Sequence, residues 1–285
     1  MTLPETSQLT RADGTVLRYC LYGPADGYPV VFNSGSPSSR WKWPMLIESM
    51  RQSNLRLLAY DRPGYGGSTR RPGRTVADAV HDVRALADAH GWNRFAVFGG
   101  SGGGPHARAC AALLADRVTR CAVLSGVMPA DPGTPPKDEP ELRSRLAEVA
   151  AEIMGRIDAG GPELPTEPGP PALNDLDAMA RLRATFIDGM HGWVDDSLAF
   201  TRPWGFELAT ITVPVGIWRG TSDANVSAEH ADYLLAHIAT AQGHVYSGGH
   251  LPGADVYYEI YDWLHTGHGL ERSSQRPQTP STAVN

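Results

Sequence analysis

Residues 94–114, RFAVFGGSGGGPHARACAALL, decide the fold. FAVF is a short apolar run of strand length, and residues 102–115 form a small-residue stretch of helical character. Between them, Gly99-Gly100-Ser101-Gly102-Gly103 reads G-x-S-x-G. In a strand-turn-helix context that motif has a mechanical meaning. The turn is tight enough to hold Ser101 in a strained backbone conformation, and the flanking glycines let strand and helix approach closely. The serine oxygen then stands clear at the C-terminal edge of a sheet. The Gly102 N–H and the positive end of the new helix face any oxyanion formed there. The same glycines also fit G-x-G-x-x-A through Gly102, Gly104 and Ala107, with Asp116 following, the fingerprint of a dinucleotide site. That fingerprint opens the first strand of its unit, whereas this one lies on a late strand.

Outward from this turn, strand and helix alternate. Residues 16–22 (VLRYCLY), 30–33 (VVFN), 55–61 (LRLLAYD) and 121–127 (CAVLSGV) read as strands. Residues 40–53 can form a helix. TVADAVHDVRALADAHG (75–91) is amphipathic, with Thr75 placed to cap it and Gly91 to stop it. Alternation of this kind means parallel βαβ units, and a sheet covered on both faces explains strands that are apolar throughout. The pattern breaks at Pro129, and 10 of the 23 prolines fall between 129 and 171. Helical stretches are expected at 139–158, 174–189 and 194–202. Sheet character then resumes: 213–220 (VPVGIWRG) and 241–247 (AQGHVYS) read as strands, 227–239 as a helix with Ser227 at its N-cap, and 253–266 as a closing helix. The division expected is a core of residues 1–128 and 206–268, a helical insertion at 129–205, and a disordered polar tail at 269–285.

A nucleophilic serine needs a base, and the base needs an orienting acid. His250 follows the last strand in GGH, and Asp223 follows VPVGIWRG in TSDANV. The order Ser101, Asp223, His250, each after a strand, brings all three to the carboxyl edge of a parallel sheet. A lone loop aspartate is more often a cap and a lone histidine more often structural. The argument rests on the three together.

Composition bounds the alternatives. The 285 residues carry a formal net charge of −6, which excludes a basic nucleic-acid footprint and a polybasic membrane surface. No apolar run reaches the length of a membrane span, and MTLPETSQLT is not a signal peptide, so a cytoplasmic location is expected. Cys20, Cys110 and Cys121 fit no metal or redox spacing and read as small buried hydrophobes. No metal and no cofactor is expected.

The elbow GGSGG, the loop DRPGYGGS (61–68), the stretch SGSP (34–37), the acid in GTSD (220–223) and GGH (248–250) together resemble the capped α/β-hydrolases. That group includes esterases, lactonases and proline iminopeptidases. The resemblance covers nearly all of residues 8–266. It implies an α/β-hydrolase fold: a mostly parallel eight-stranded sheet with helices on both faces and a helical cap insertion. It also implies Ser101 as nucleophile, Asp223 as acid and His250 as base, with the amides of Gly102 and Ser36 as oxyanion donors. Two departures stand out. Ser34 replaces the histidine usual in the oxyanion loop, and Gly100 replaces a bulkier residue beside the nucleophile.

The activity this implies is hydrolysis of a carboxylic ester or lactone, with a small apolar molecule as the only expected partner and a monomer or homodimer as the assembly. Trp193, Phe200, Trp204 and Phe206 could line an apolar pocket or simply bury the insertion against the sheet. A proline iminopeptidase would need carboxylates near the insertion, for which Asp195, Asp196 and Glu207 are candidates. A lyase or cofactor-free oxygenase, and a slow-turnover ligand receptor, are further readings that a fold alone does not separate. Arg62 is expected in a structural ion pair, and His106 in a buried, hydrogen-bonded role.

Overall fold

A computed structural model describes residues 5–42, 46, 47, 49, 50, 53–131, 133–135, 137–159 and 175–267. Eight strands form one sheet: β1 Ser7–Thr10, β2 Val16–Tyr22, β3 Tyr28–Asn33, β4 Leu55–Tyr60, β5 Phe95–Gly100, β6 Val118–Leu124, β7 Val215–Gly220 and β8 Ala241–Tyr246. Their order is β1-β2-β4-β3-β5-β6-β7-β8. The β1–β2 and β2–β4 pairs are antiparallel, and every pair from β4 to β8 is parallel.

Successive side chains of a strand point to opposite faces, and the sequence uses both. Val31, Leu58, Val97, Cys121 and Ile217 belong to the core on one face. Val30, Leu57, Ala96, Ala122 and Trp218, each one residue away, belong to the core on the other. The first face is covered by α1 (Ala79–Ala89), α2 (Gly104–Leu113) and α6 (Ala228–His237), through Val83, Leu86, Ala107 and Leu234. The second is covered by α7 (Ala254–Thr266), through Ile260, Tyr261 and Leu264. All three cysteines are buried and free.

Between β6 and β7 lie α3 (Glu139–Asp158), α4 (Asp175–Thr185) and α5 (His191–Phe200). They carry two small cores of their own. Leu142 and Leu146 meet Val194 and Leu198, and Ile153 meets Leu182. No helix among the described residues is long and apolar enough to cross a membrane.

Four local features differ from the sequence pattern. The polar four-residue strand β1 was not foreseen. Helix α1 begins at Ala79 rather than behind Thr75: the Thr75 N–H and hydroxyl both donate to the Asp78 carboxylate, at 2.7 and 2.9 Å. The Ala77 N–H meanwhile bonds the Trp204 carbonyl at 2.9 Å, so the first turn is held as a loop. Ser227 does cap α6 in position, but its side chain makes no cap hydrogen bond. Of the helix expected at 40–53, residues 46, 47, 49 and 50 are helical and the remainder is not helix or lies outside the described residues, as does the tail 269–285.

Candidate active site

The loops that follow β3, β4, β5, β6, β7 and β8 leave the same edge of the sheet. The chain order reverses between β3 and β5, where β4 lies to one side and β6 to the other. Loops leaving adjacent strands in opposite directions open a crevice at such a switch point. Ser101 follows β5, at one wall of this crevice. Ser36 follows β3, at the other.

Ser101 adopts φ +50°, a left-handed conformation uncommon for a residue with a side chain. The turn is possible only because its neighbours lack Cβ atoms. A Cβ at Gly99 would lie 2.5 Å from the Gly103 carbonyl oxygen, and one at Gly103 would lie 1.9 Å from the Asn33 carbonyl oxygen. Gly104 packs against Gly126 and Val123, 3.1 Å from where its own Cβ would be. These glycines thus serve close packing of the turn and helix α2. Gly103→Ala is expected to destabilise the protein by about 1–3 kcal/mol through overpacking of backbone on backbone. A urea midpoint equal to wild type would refute this.

Ser101, Gly100, Ser36, Gly35 and His250 line one cavity. A Cβ at Gly102 would be 2.6 Å from Ser36 Oγ, so the two residues assigned as oxyanion donors are adjacent. At Gly100 a Cβ would meet only Phe32, at 3.8 Å. The glycine therefore leaves open space on this side of the serine.

His250 Nδ1 lies 2.9 Å from Asp223 Oδ2 and 3.1 Å from Oδ1. Asp223 Oδ1 also accepts the N–H groups of Asn225 and Val226, each at 2.9 Å. Burial alone would raise the Asp223 carboxyl pKa, but the His250 and Val226 hydrogen bonds, with help from Ser125, hold it below the usual carboxylate value. The His250 loop is tied down by Tyr246, whose hydroxyl donates to the Gly249 carbonyl at 2.9 Å. Ser125, at the end of β6 with φ +49°, donates to the His250 carbonyl at 3.4 Å. Neither Tyr246 nor Ser125 carried a sequence signal.

The loop after β3 is held without the usual histidine. Arg62 Nη1 donates to the Ser34 carbonyl, and its Nη2 donates to the Gly35 carbonyl at 3.1 Å and to Ser36 Oγ at 2.8 Å. Lys42 Nζ donates to Ser34 Oγ at 2.6 Å. Arg62 is anchored in turn by Asp196 of α5: Nη2 to Oδ2 is 2.6 Å, and Arg74 Nη2 reaches Oδ1 at 2.6 Å. Tyr65 and Ser36 hydroxyls donate to the same carboxylate at 2.9 and 2.5 Å. Burial would raise the Asp196 pKa, but Arg62 and Arg74 outweigh it and hold the carboxyl well below its usual value. Arg62 is thus in a structural ion pair, as expected. His106 Nδ1 lies 3.3 Å from the Val76 carbonyl and Nε2 3.4 Å from Asp196 Oδ1. Burial, then the Arg62 charge, pushes His106 down to about 4, which keeps the ring neutral.

The expected aromatic lining is not found in this cavity. Trp193 stacks on Phe186 between the insertion helices. Trp204 is buried in the sheet core under Arg108 and beside Phe206. Phe200 lies against His106 and the elbow, 3.2 Å from a Gly102 Cβ position. The apolar wall is instead built from Phe32, Leu46, Phe98, Leu124, Ile153 and Leu251. The carboxylates considered for holding an ammonium are also placed elsewhere. Asp195 pairs with Arg70 at 2.8 Å, Asp196 is enclosed by the two arginines, and Glu207 is exposed. Among the described residues no cluster of three or more His, Cys, Asp or Glu could hold a metal ion.

A sheet of this order, with a nucleophile-type elbow after β5 and an Asp–His pair after β7 and β8, defines an α/β hydrolase architecture. Residues 28–170 match the family model described as alpha/beta hydrolase fold, and the chain belongs to that family. A non-heme chloroperoxidase of Streptomyces lividans is 32% identical over 161 residues, which is 53% of this chain and 58% of that protein. The chain thus matches little more than half the length of that relative. A bifunctional esterase/perhydrolase of Acinetobacter calcoaceticus is 27% identical over 231 residues, 78% of this chain and 83% of that protein. Among solved structures, a thermophilic esterase from Thermogutta terrifontis superposes with TM-score 0.67 and 22% identity, over 92% of this chain and 98% of that one. The enol-lactonase of Burkholderia xenovorans LB400 gives 0.66 and 23%, over 86% and 92%. At these identities the structural likeness speaks to the fold.

Proposed function

We propose that the chain is a serine hydrolase that cleaves a carboxylic ester or lactone through an acyl-enzyme on Ser101. The observation that carries this reading is the shared cavity. It is lined by a serine held at φ +50° and by a histidine whose Nδ1 is 2.9 Å from a carboxylate. With Nδ1–H donated to Asp223, Nε2 is the basic ring nitrogen. His250 takes the Ser101 proton as the oxygen attacks the carbonyl, then gives it to the leaving alcohol. The amides of Gly102 and Ser36 receive the developing oxyanion. Water, deprotonated by His250, attacks the acyl-enzyme and releases the acid. An apolar wall with few polar groups suits an apolar ester or lactone, and relatives named for esterase and enol-lactonase activity are consistent with it.

In this reading residues 129–205 act as a cap. Ile153 of α3 contributes to the cavity wall, and Asp196 of α5 binds the arginine that holds the oxyanion loop. The test is labelling with a fluorophosphonate at neutral pH, with the adduct mapped by mass spectrometry, beside turnover of short p-nitrophenyl esters. Covalent modification at Ser101 and parallel loss of ester turnover are expected. A protein that stays unlabelled while native would overturn the assignment of an activated serine.

A further inference from the structure

Ester hydrolysis accounts for the Lys42 hydrogen bond to Ser34 but not for a charged group at this place in the cavity. Lys42 lines the same cavity as Ser101 and His250, yet is only 5% exposed. Its Nζ donates to Ser34 Oγ at 2.6 Å and lies 4.7 Å from the Phe32 ring centroid. An ammonium has three N–H bonds to satisfy, and the Ser34 hydroxyl accepts one. No carboxylate among the described residues pairs with Lys42. Asp61 acts on it favourably but is already bound by Arg40. Arg62 and, from α4, Arg181 oppose its charge, and Cys20 adds a minor favourable effect. Burial, the largest influence, pushes the Lys42 pKa down to about 7. A buried cation without a counter-charge costs free energy that a packed apolar side chain would not. A ligand that brings an anion into the cavity removes that cost.

We propose that Lys42 makes this cavity selective for esters or lactones that carry a carboxylate, the ammonium receiving the anionic end while Ser101 faces the scissile carbonyl. The proposal rests on the serine-hydrolase reading for its reaction but not for its binding. The bound carboxylate would favour the charged amine and raise its pKa. Near pH 8, where free Lys42 is largely neutral, binding should take up a proton. Near pH 6, where it is already charged, binding should take up little. His250 and Tyr257 also line the cavity and can titrate, so the lysine variant is the control that assigns the proton.

The experiment uses Ser101→Ala protein, in which ligands are not consumed. Monoethyl glutarate through monoethyl suberate would each be titrated calorimetrically against the ethyl alkanoate of equal length, in two buffers of different ionisation enthalpy. At least one monoester is expected to bind about tenfold or more tighter than its neutral match, with proton uptake near pH 8. Both effects should disappear in Lys42→Met or Lys42→Gln. The wild-type enzyme should show the same preference in kcat/KM. Equal binding of charged and neutral members throughout the series would overturn the proposal, as would a preference that survives in the lysine variants. Hydrolysis of neutral esters without that preference would leave the hydrolase reading standing alone. Tight binding of the monoesters by a protein that never labels at Ser101 would do the reverse.

Discussion

Ser101→Ala and His250→Ala are each expected to lower kcat for a p-nitrophenyl ester by about 10⁶-fold, and the double variant to lose no more than either alone. The reason is that serine and base act as a unit. Without the histidine the hydroxyl is a poor nucleophile, and without the serine the histidine has no proton to take. Asp223→Asn should cost less, about 10⁴-fold, and should leave the fold intact. The amide oxygen of an asparagine can still accept the Asn225 and Val226 N–H groups that the carboxylate now binds at 2.9 Å. Its NH₂, however, would face His250 Nδ1 with a donor where an acceptor is needed. The ring would be driven to the tautomer that has its proton on Nε2, and Nε2 could no longer act as base. Steady-state kinetics with a denaturation curve for each variant tests the series. Wild-type activity in Asp223→Asn, or additive losses in the double variant, would dissolve the proposed triad.

How much of this could be read beforehand depended on whether the signal was local. The strand ends that carry Ser101, Asp223 and His250 were legible because each follows an apolar run bounded by turn residues, and such runs are set by short-range pattern. The polar edge strand β1 has no such pattern: SQLT alternates between half-buried and exposed positions and pairs with β2 only because β2 is there. The aromatic residues near the end of the insertion show the opposite failure. Composition revealed a cluster, but the direction of each ring is fixed by tertiary packing, and Trp204 turned into the sheet core rather than toward the serine. Lys42 gave no sign at all. A lysine between two tryptophans reads as a surface residue, and its burial follows from how the β3 loop folds back over Phe32. The substitution of Ser34 for histidine was visible. Its compensation by Arg62 and Lys42 was not, because Arg62 comes from the loop after β4 and Lys42 reaches Ser34 only through the way its own loop folds.

Asp196→Ala is expected to destabilise the fold by about 3–5 kcal/mol, the range for removing one partner from a buried ion pair. The carboxylate is wholly buried between Arg62 and Arg74, whose side chains are only 2% and 3% exposed. Its loss leaves two guanidinium groups without a counter-charge in a medium that cannot solvate them. The effect should also be visible in the pH dependence of the native protein. The folded pKa of Asp196 is depressed, so its contribution is fully present above the unfolded value of about 3.9 and is lost as pH falls below it. Wild type should therefore lose stability steeply in acid, while Asp196→Asn, already weaker at neutral pH, should show a shallower fall over the same range. Denaturant unfolding of both proteins between neutral pH and about pH 3 measures this. A neutral-pH loss under about 1 kcal/mol would mean that water or rearranged side chains replace the carboxylate. The location of the residue gives the result a functional edge. Asp196 lies on α5, Arg62 follows β4, and Arg62 in turn holds the carbonyls of Ser34 and Gly35 and the hydroxyl of Ser36. One carboxylate thus couples the docking of the insertion to the shape of the loop after β3. Asp196→Asn should therefore also lower kcat at neutral pH while the two large cores remain packed, because the loop after β3 has lost its charged anchor.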